Sequence, residues 1–198
     1  DLLVYVAGVL VITAVARIHH FIPGLHVIRP ISLAMLIGLI AWGAKNTGWR
    51  NLKRLDHPLG RIMGFLVIWA ILGIPVSVFP GASFNFVKDK VLSTVVLVFL
   101  LAVSVRSVSD VLFLIRIYVF GAAIYGLLAS DASAFRGLGE GSYDANDAAM
   151  YMVGGVPLAL LCMQVAKGWR KLIYLVLMVP MVQAFSIGGS RGAFLAFA

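Results

Sequence analysis

Gly188-Gly189-Ser190-Arg191-Gly192-Ala193-Phe194 sets an arginine among three glycines and a serine. The apolar run Leu172–Ile187 lies before it and Phe194 to Ala198 begins another after it. A charge at membrane depth is expensive, so it faces a cavity, a partner or a ligand. Glycines let the backbone bend and come close to whatever that arginine meets. At a glycine-flanked helix start, free backbone N–H groups, the helix dipole and a guanidinium together hold an anion. The phosphate or pyrophosphate of a lipid carrier is the anion that suits such a depth. The competing account is an arginine at a helix end whose stem snorkels to the headgroups. No strand-like run precedes the segment and no Gly-Lys-Ser/Thr follows, which excludes a nucleotide phosphate loop.

A second polar stretch, Tyr143-Asp144-Ala145-Asn146-Asp147-Ala148-Ala149, stands directly before an apolar run. Asn146 or Asp147 fits the cap of a helix there, and acids suit a helix N-terminus. The functional alternative is a polar lip at the mouth of an outward-facing cavity. His19, His20, His26 and His57 all fall in loops or at the ends of apolar runs. His19 and His20 are adjacent and do not form the i, i+4 pair that shares a metal, so they read as interfacial polar residues. The single cysteine, Cys162, lies inside an apolar run, which excludes an internal disulfide and a two-cysteine metal site. No metal and no cofactor is expected.

Long apolar elements must carry these residues. The sequence has 198 residues, 62% hydrophobic and 12% charged, with a mean hydropathy of +1.02. That composition exceeds what a soluble core requires and predicts an all-α, polytopic transmembrane bundle over residues 1–198 as a single domain. The runs are Leu2–Ala16, Ile31–Ala44, Ile62–Phe79 with a kink at Pro75, Val91–Val105, Val111–Ala129, Ala148–Ala166 with Pro157 inside, and Leu172–Ile187. About seven spans and the start of an eighth follow, each near the ~20 residues a bilayer requires. Pro23-Gly24 and Pro80-Gly81 read as turns, and Pro30 suits the first turn of a helix. Lys88, Asp89 and Lys90 read as the loop that leads into the fourth run. Arg106 and Asp110 have the spacing of a helix-surface ion pair. Gly60-x-x-x-Gly64 and Gly188-x-x-x-Gly192 match the small-residue pattern of helix packing. Asp1 in place of a methionine, and an end at Ala198 inside an apolar run, lead us to expect a fragment of a longer chain.

The formal net charge is +8. Because the basic residues lie in short loops, this charge points to membrane topology and not to nucleic acid. If the loops alternate, one side holds Lys45, Arg50, Lys53, Arg54, Arg61, Arg106, Arg116, Lys167, Arg170 and Lys171. The other holds Arg17, Arg29, Lys88, Lys90, Arg136 and Arg191. The richer side is cytoplasmic by the positive-inside rule, and Trp42, Trp49 and Trp169 cluster toward it. The acidic loop Asp131–Asp147, the histidine-proline loop Arg17–Pro30 and Arg191 then converge on the outer face.

Three stretches resemble the superfamily of bacterial O-antigen ligases and polymerases. They are Arg17 to Pro30 with its Ile-Pro-Gly-Leu and Arg-Pro, Tyr143 to Asp147 before a helix, and Gly189-Ser190-Arg191-Gly192-Ala193 one helix later. The resemblance implies the N-terminal half of an inner-membrane glycosyltransferase. Such an enzyme moves a glycan from an undecaprenyl-diphosphate carrier to an acceptor at the outer face, without a metal. It assigns Arg191 to the leaving pyrophosphate and places Ser190, Gly189, Gly192, Asp144, Asn146 and Asp147 at the substrate. The general base of the family, a histidine in a large outer loop, would lie beyond residue 198, so the fragment alone is expected to be inactive. Membrane lipids and the lipid-linked glycan are the expected partners. Two other readings stay open: a non-catalytic transmembrane subunit of a larger membrane complex, and a transporter of the same superfamily.

Overall fold

The computed structural model describes residues 2–16, 30–44, 57–129 and 145–188, and every element among them is helical. In chain order these are α1 (Leu2–Ala16), α2 (Pro30–Gly43), α3 (Pro58–Gly73), α4 (Pro80–Phe86), a π-helical turn (Val87–Val91), α5 (Leu92–Ser104), α6 (Val108–Ala129), α7 (Ala145–Val165) and α8 (Arg170–Gly188). The chain packs as two compact units, Asp1–Ala7 with Ser32–Arg106 and Gly8–Ile31 with Ser107–Ala198.

α2 opens on Pro30, as expected, because a first-turn proline needs no N–H partner. A Cβ on Gly38 would sit 2.8 Å from a Leu100 methyl carbon and 3.4 Å from Val6, so the missing side chain lets α1 and α5 press onto α2. Trp42 meets Phe99 edge to face at 5.0 Å.

The run expected over Ile62–Phe79 is not one helix. α3 stops at Gly73, and residues 74–79 form a turn in which Ser77 Oγ donates to the Ile74 carbonyl at 2.9 Å. Pro75 therefore ends the helix instead of kinking it, since the residue before a proline is driven out of the α region. Pro80-Gly81 is likewise no turn but the first turn of α4, with the proline at its start. α4 runs without a break through the π turn into α5, where Leu92 N–H donates to the Val87 carbonyl five residues back. Lys88, Asp89 and Lys90 thus lie in a helix and not in a loop.

The second unit is built on small residues. Val15 of α1, Val119, Ala122 and Ala123 of α6, Met152, Val156 and Ala159 of α7, and Met181 and Ala184 of α8 form one buried cluster. A Cβ on Gly126 would fall 2.7 Å from the Pro180 carbonyl oxygen, so α6 touches the backbone of α8. A Cβ on Gly155 would fall 3.0 Å from the Met181 sulfur and 3.3 Å from Ala122 Cβ. Gly8 lies against Phe113 and Ile117, and Gly121 against Ile12 and Val15, so α1 and α6 run in the same direction. The expected packing at Gly60-x-x-x-Gly64 is not seen at Gly64, where an added Cβ would meet nothing within 4 Å.

Candidate functional site

α7 and α8 form a helical hairpin joined by Ala166–Trp169, in which Gly168 takes a φ of +59° that suits glycine. So short a connection makes the two helices antiparallel. They contain 21 and 19 residues, so the start of α7 and the end of α8 come to the same end of the hairpin. Asn146 and Asp147 belong to the first turn of α7, and Gly188 is the last residue of α8. The two polar stretches singled out in the sequence therefore leave the helices at one common end.

Asp144, Gly189, Ser190, Arg191 and Gly192 lie outside the described residues, as do His19, His20 and His26. The expectation that Asn146 or Asp147 caps the helix needs correction. α7 begins at Ala145, which puts both inside its first turn, where an acidic residue still favours the helix dipole.

The polar groups of the helices are satisfied mostly within their own turns. Thr13 Oγ1 donates to the Val9 carbonyl at 2.7 Å, Thr94 Oγ1 to Lys90 at 2.8 Å, Ser104 Oγ to Leu101 at 2.9 Å and Ser186 Oγ to Val182 at 2.9 Å. Between helices, Tyr118 OH donates to the Tyr151 carbonyl at 3.2 Å, tying α6 to α7. α6 itself opens on a capping box that the sequence reading missed. Ser107 Oγ accepts from Asp110 N–H at 3.2 Å, and Asp110 Oδ2 accepts from Ser107 N–H at 2.9 Å. The Ser-x-x-Asp pattern was the available signal.

Arg116 is exposed on α6, and Cys162 is buried on α7. His57 is exposed at the start of α3. Among the described residues no group of three histidines, cysteines or carboxylates stands close enough to hold a metal.

Among the described residues one helix, Val108–Ala129, is long and apolar enough to cross a membrane. Leu2–Ala16, Pro30–Gly43, Gly60–Gly73 and Met150–Val165 are shorter apolar helices. Compared with known protein families, characterised proteins and solved structures, the chain finds no match.

Proposed function

We propose that this chain is a multi-pass protein of the bacterial inner membrane, with seven crossings and the start of an eighth. In this reading it forms the N-terminal half of an O-antigen ligase-like glycosyltransferase. The enzyme moves a glycan from an undecaprenyl-diphosphate carrier to an acceptor at the outer face. The observation that carries the membrane part is the outward face of the helices. On α3, Trp69 is 67% exposed, Leu72 64%, Phe65 60% and Ile68 59%, and none of its described side chains is buried. A helix apolar on all sides needs an apolar surround, and apolar patches of this extent mark a membrane or an interface. Hydroxyls bonded to their own helix suit the same surround, where no water replaces a missing partner. The common direction of α1 and α6 agrees with an odd number of intervening crossings, here three.

The transferase part rests on the motifs. Arg191 faces the pyrophosphate and neutralises it as the glycosidic bond to the carrier breaks. Ser190, Gly189 and Gly192 shape the backbone around it. The resemblance adds Asp144, Asn146 and Asp147 to the same substrate site. A planar guanidinium holds two phosphate oxygens at once, which an ammonium cannot do. In the full-length protein Arg191→Lys should therefore lose roughly 30- to 1000-fold in transfer rate, the worth of ~2–4 kcal/mol at a developing charge. The assay is glycan transfer from an undecaprenyl-diphosphate donor by purified wild type and variant at equal folded concentration. A variant within about twofold of wild type makes Arg191 a snorkelling anchor and removes this reading of the site.

A further inference from the structure

An apolar furrow runs between α3 and the continuous helix α4–π–α5. It comprises three adjoining clefts of about 650, 410 and 370 Å³ that share Ala70 and Phe86 at one junction and Val67 and Val98 at the other. Gly64 lines it and leaves open space. The middle cleft holds a single charged residue, Lys90 of the π turn. Thr94, beside it, donates its hydroxyl hydrogen bond to the Lys90 carbonyl. The Lys90 ammonium makes no hydrogen bond or ion pair among the described residues, whereas its neighbour Lys88 stands 3.7 Å from Asp89.

We infer that this furrow binds an anionic glycerophospholipid, its phosphate on Lys90 and one acyl chain laid along α5. The inference rests on the membrane reading above. Charge complementarity selects the headgroup, because the π turn carries two lysines against one aspartate. Length selects the chain. From Lys90 to Phe99 the helix rises about 13 Å, close to the ~15 Å of hydrocarbon in one leaflet. Both clefts on that stretch are walled by the apolar side chains of Met63, Val67, Val95 and Val98. On the other side of Lys90 the largest cleft includes Ser77 and Ser83, leaving polar room for a glycerol headgroup.

The test uses the full-length protein reconstituted with phosphatidylglycerol or phosphatidylcholine of identical chains, with retained lipid counted by native mass spectrometry. Wild type should retain phosphatidylglycerol about fivefold better, the usual worth of one lysine at an anionic surface. Lys90→Gln, at an exposed position, should bring the two lipids level. Gly64→Leu points into open space and should fold normally while displacing both. Equal retention of the two lipids by wild type, or an unchanged preference in Lys90→Gln, overturns the inference. A carbonate wash of the same membranes separates the two layers of the argument. Protein that stays in the membrane but retains no phosphatidylglycerol refutes the lipid site alone, and protein washed free refutes the membrane reading with it.

Discussion

Gly126 and Gly64 are chemically the same residue in opposite settings. A side chain on Gly126 would run into the Pro180 carbonyl at 2.7 Å, and backbone cannot move aside as a flexible side chain can. In lipid, helices associate through such close packing and not through apolar burial, so small residues at the seam carry the association. Gly126→Leu should destabilise the protein by about 1–3 kcal/mol, the cost of overpacking. Gly64→Leu should change stability by less than about 0.5 kcal/mol, as surface substitutions do. Thermal unfolding of both variants in the same detergent checks the contrast, and equal shifts would mean that the seam does not hold α6 to α8. The sequence did not reveal this distinction. Gly60-x-x-x-Gly64 matched the packing pattern, while Ala122-x-x-x-Gly126 and Gly155-x-x-x-Ala159 carried the contacts. A helix apolar on every side has no polar face to set its phase, so spacing alone cannot say which small residue meets a neighbour.

At the scale of elements, the apolar runs located the helices well and their ends less well. Pro30, α6 and α8 lie close to where the runs put them, because a run of hydrocarbon has few other ways to satisfy its backbone. Pro75 and Pro80 were misread because a proline marks a break without saying whether a helix bends, stops or starts there. The π turn left no signature, since Lys-Asp-Lys reads as loop by composition and its helical state comes from continuity with α4 and α5. The start of α7 carries a prediction. Had Asp147 been the cap, Asp147→Asn would be harmless, because asparagine caps as well. Placed inside the first turn, Asp147 contributes through its charge, and Asp147→Asn should cost about 0.3–1 kcal/mol, shrinking as salt is added. A thermal shift of Asp147→Asn that is absent at low salt would return the residue to a capping role.

Over the whole molecule, the apolar composition led to the expectation of a membrane protein, and exposed side chains such as Val76 and Val78 suit that proposal. The proposed site was legible only as motifs, because Arg191 and Asp144 stand in polar stretches of the sequence that carry no periodicity, and both lie outside the described residues. The hairpin end that joins the two stretches follows from the brevity of Ala166–Trp169, a connection the sequence displayed but whose consequence depends on two helices of matched length. Orientation is open to direct measurement. With single cysteines at Ser133 and Asn51, a membrane-impermeant thiol reagent applied to intact spheroplasts should label position 133 and spare position 51. Labelling of Asn51→Cys alone would invert the protein and move Arg191 to the cytoplasmic side.

α1 belongs to both compact units, its first residues to one and Gly8 onward to the other. It is the first helix in the sequence, yet Gly8, Ile12 and Val15 rest on Phe113 and Gly121 of α6, about a hundred residues later. A ribosome adding about 5–20 residues per second needs on the order of 5–20 s to cover that distance. For that interval one face of α1 stands without its partner. Gly8 leaves a shallow notch on α1, and the Phe113 ring of α6 fills it when that helix arrives. α1 is thus held on this face only once a segment about a hundred residues further along the chain has been made.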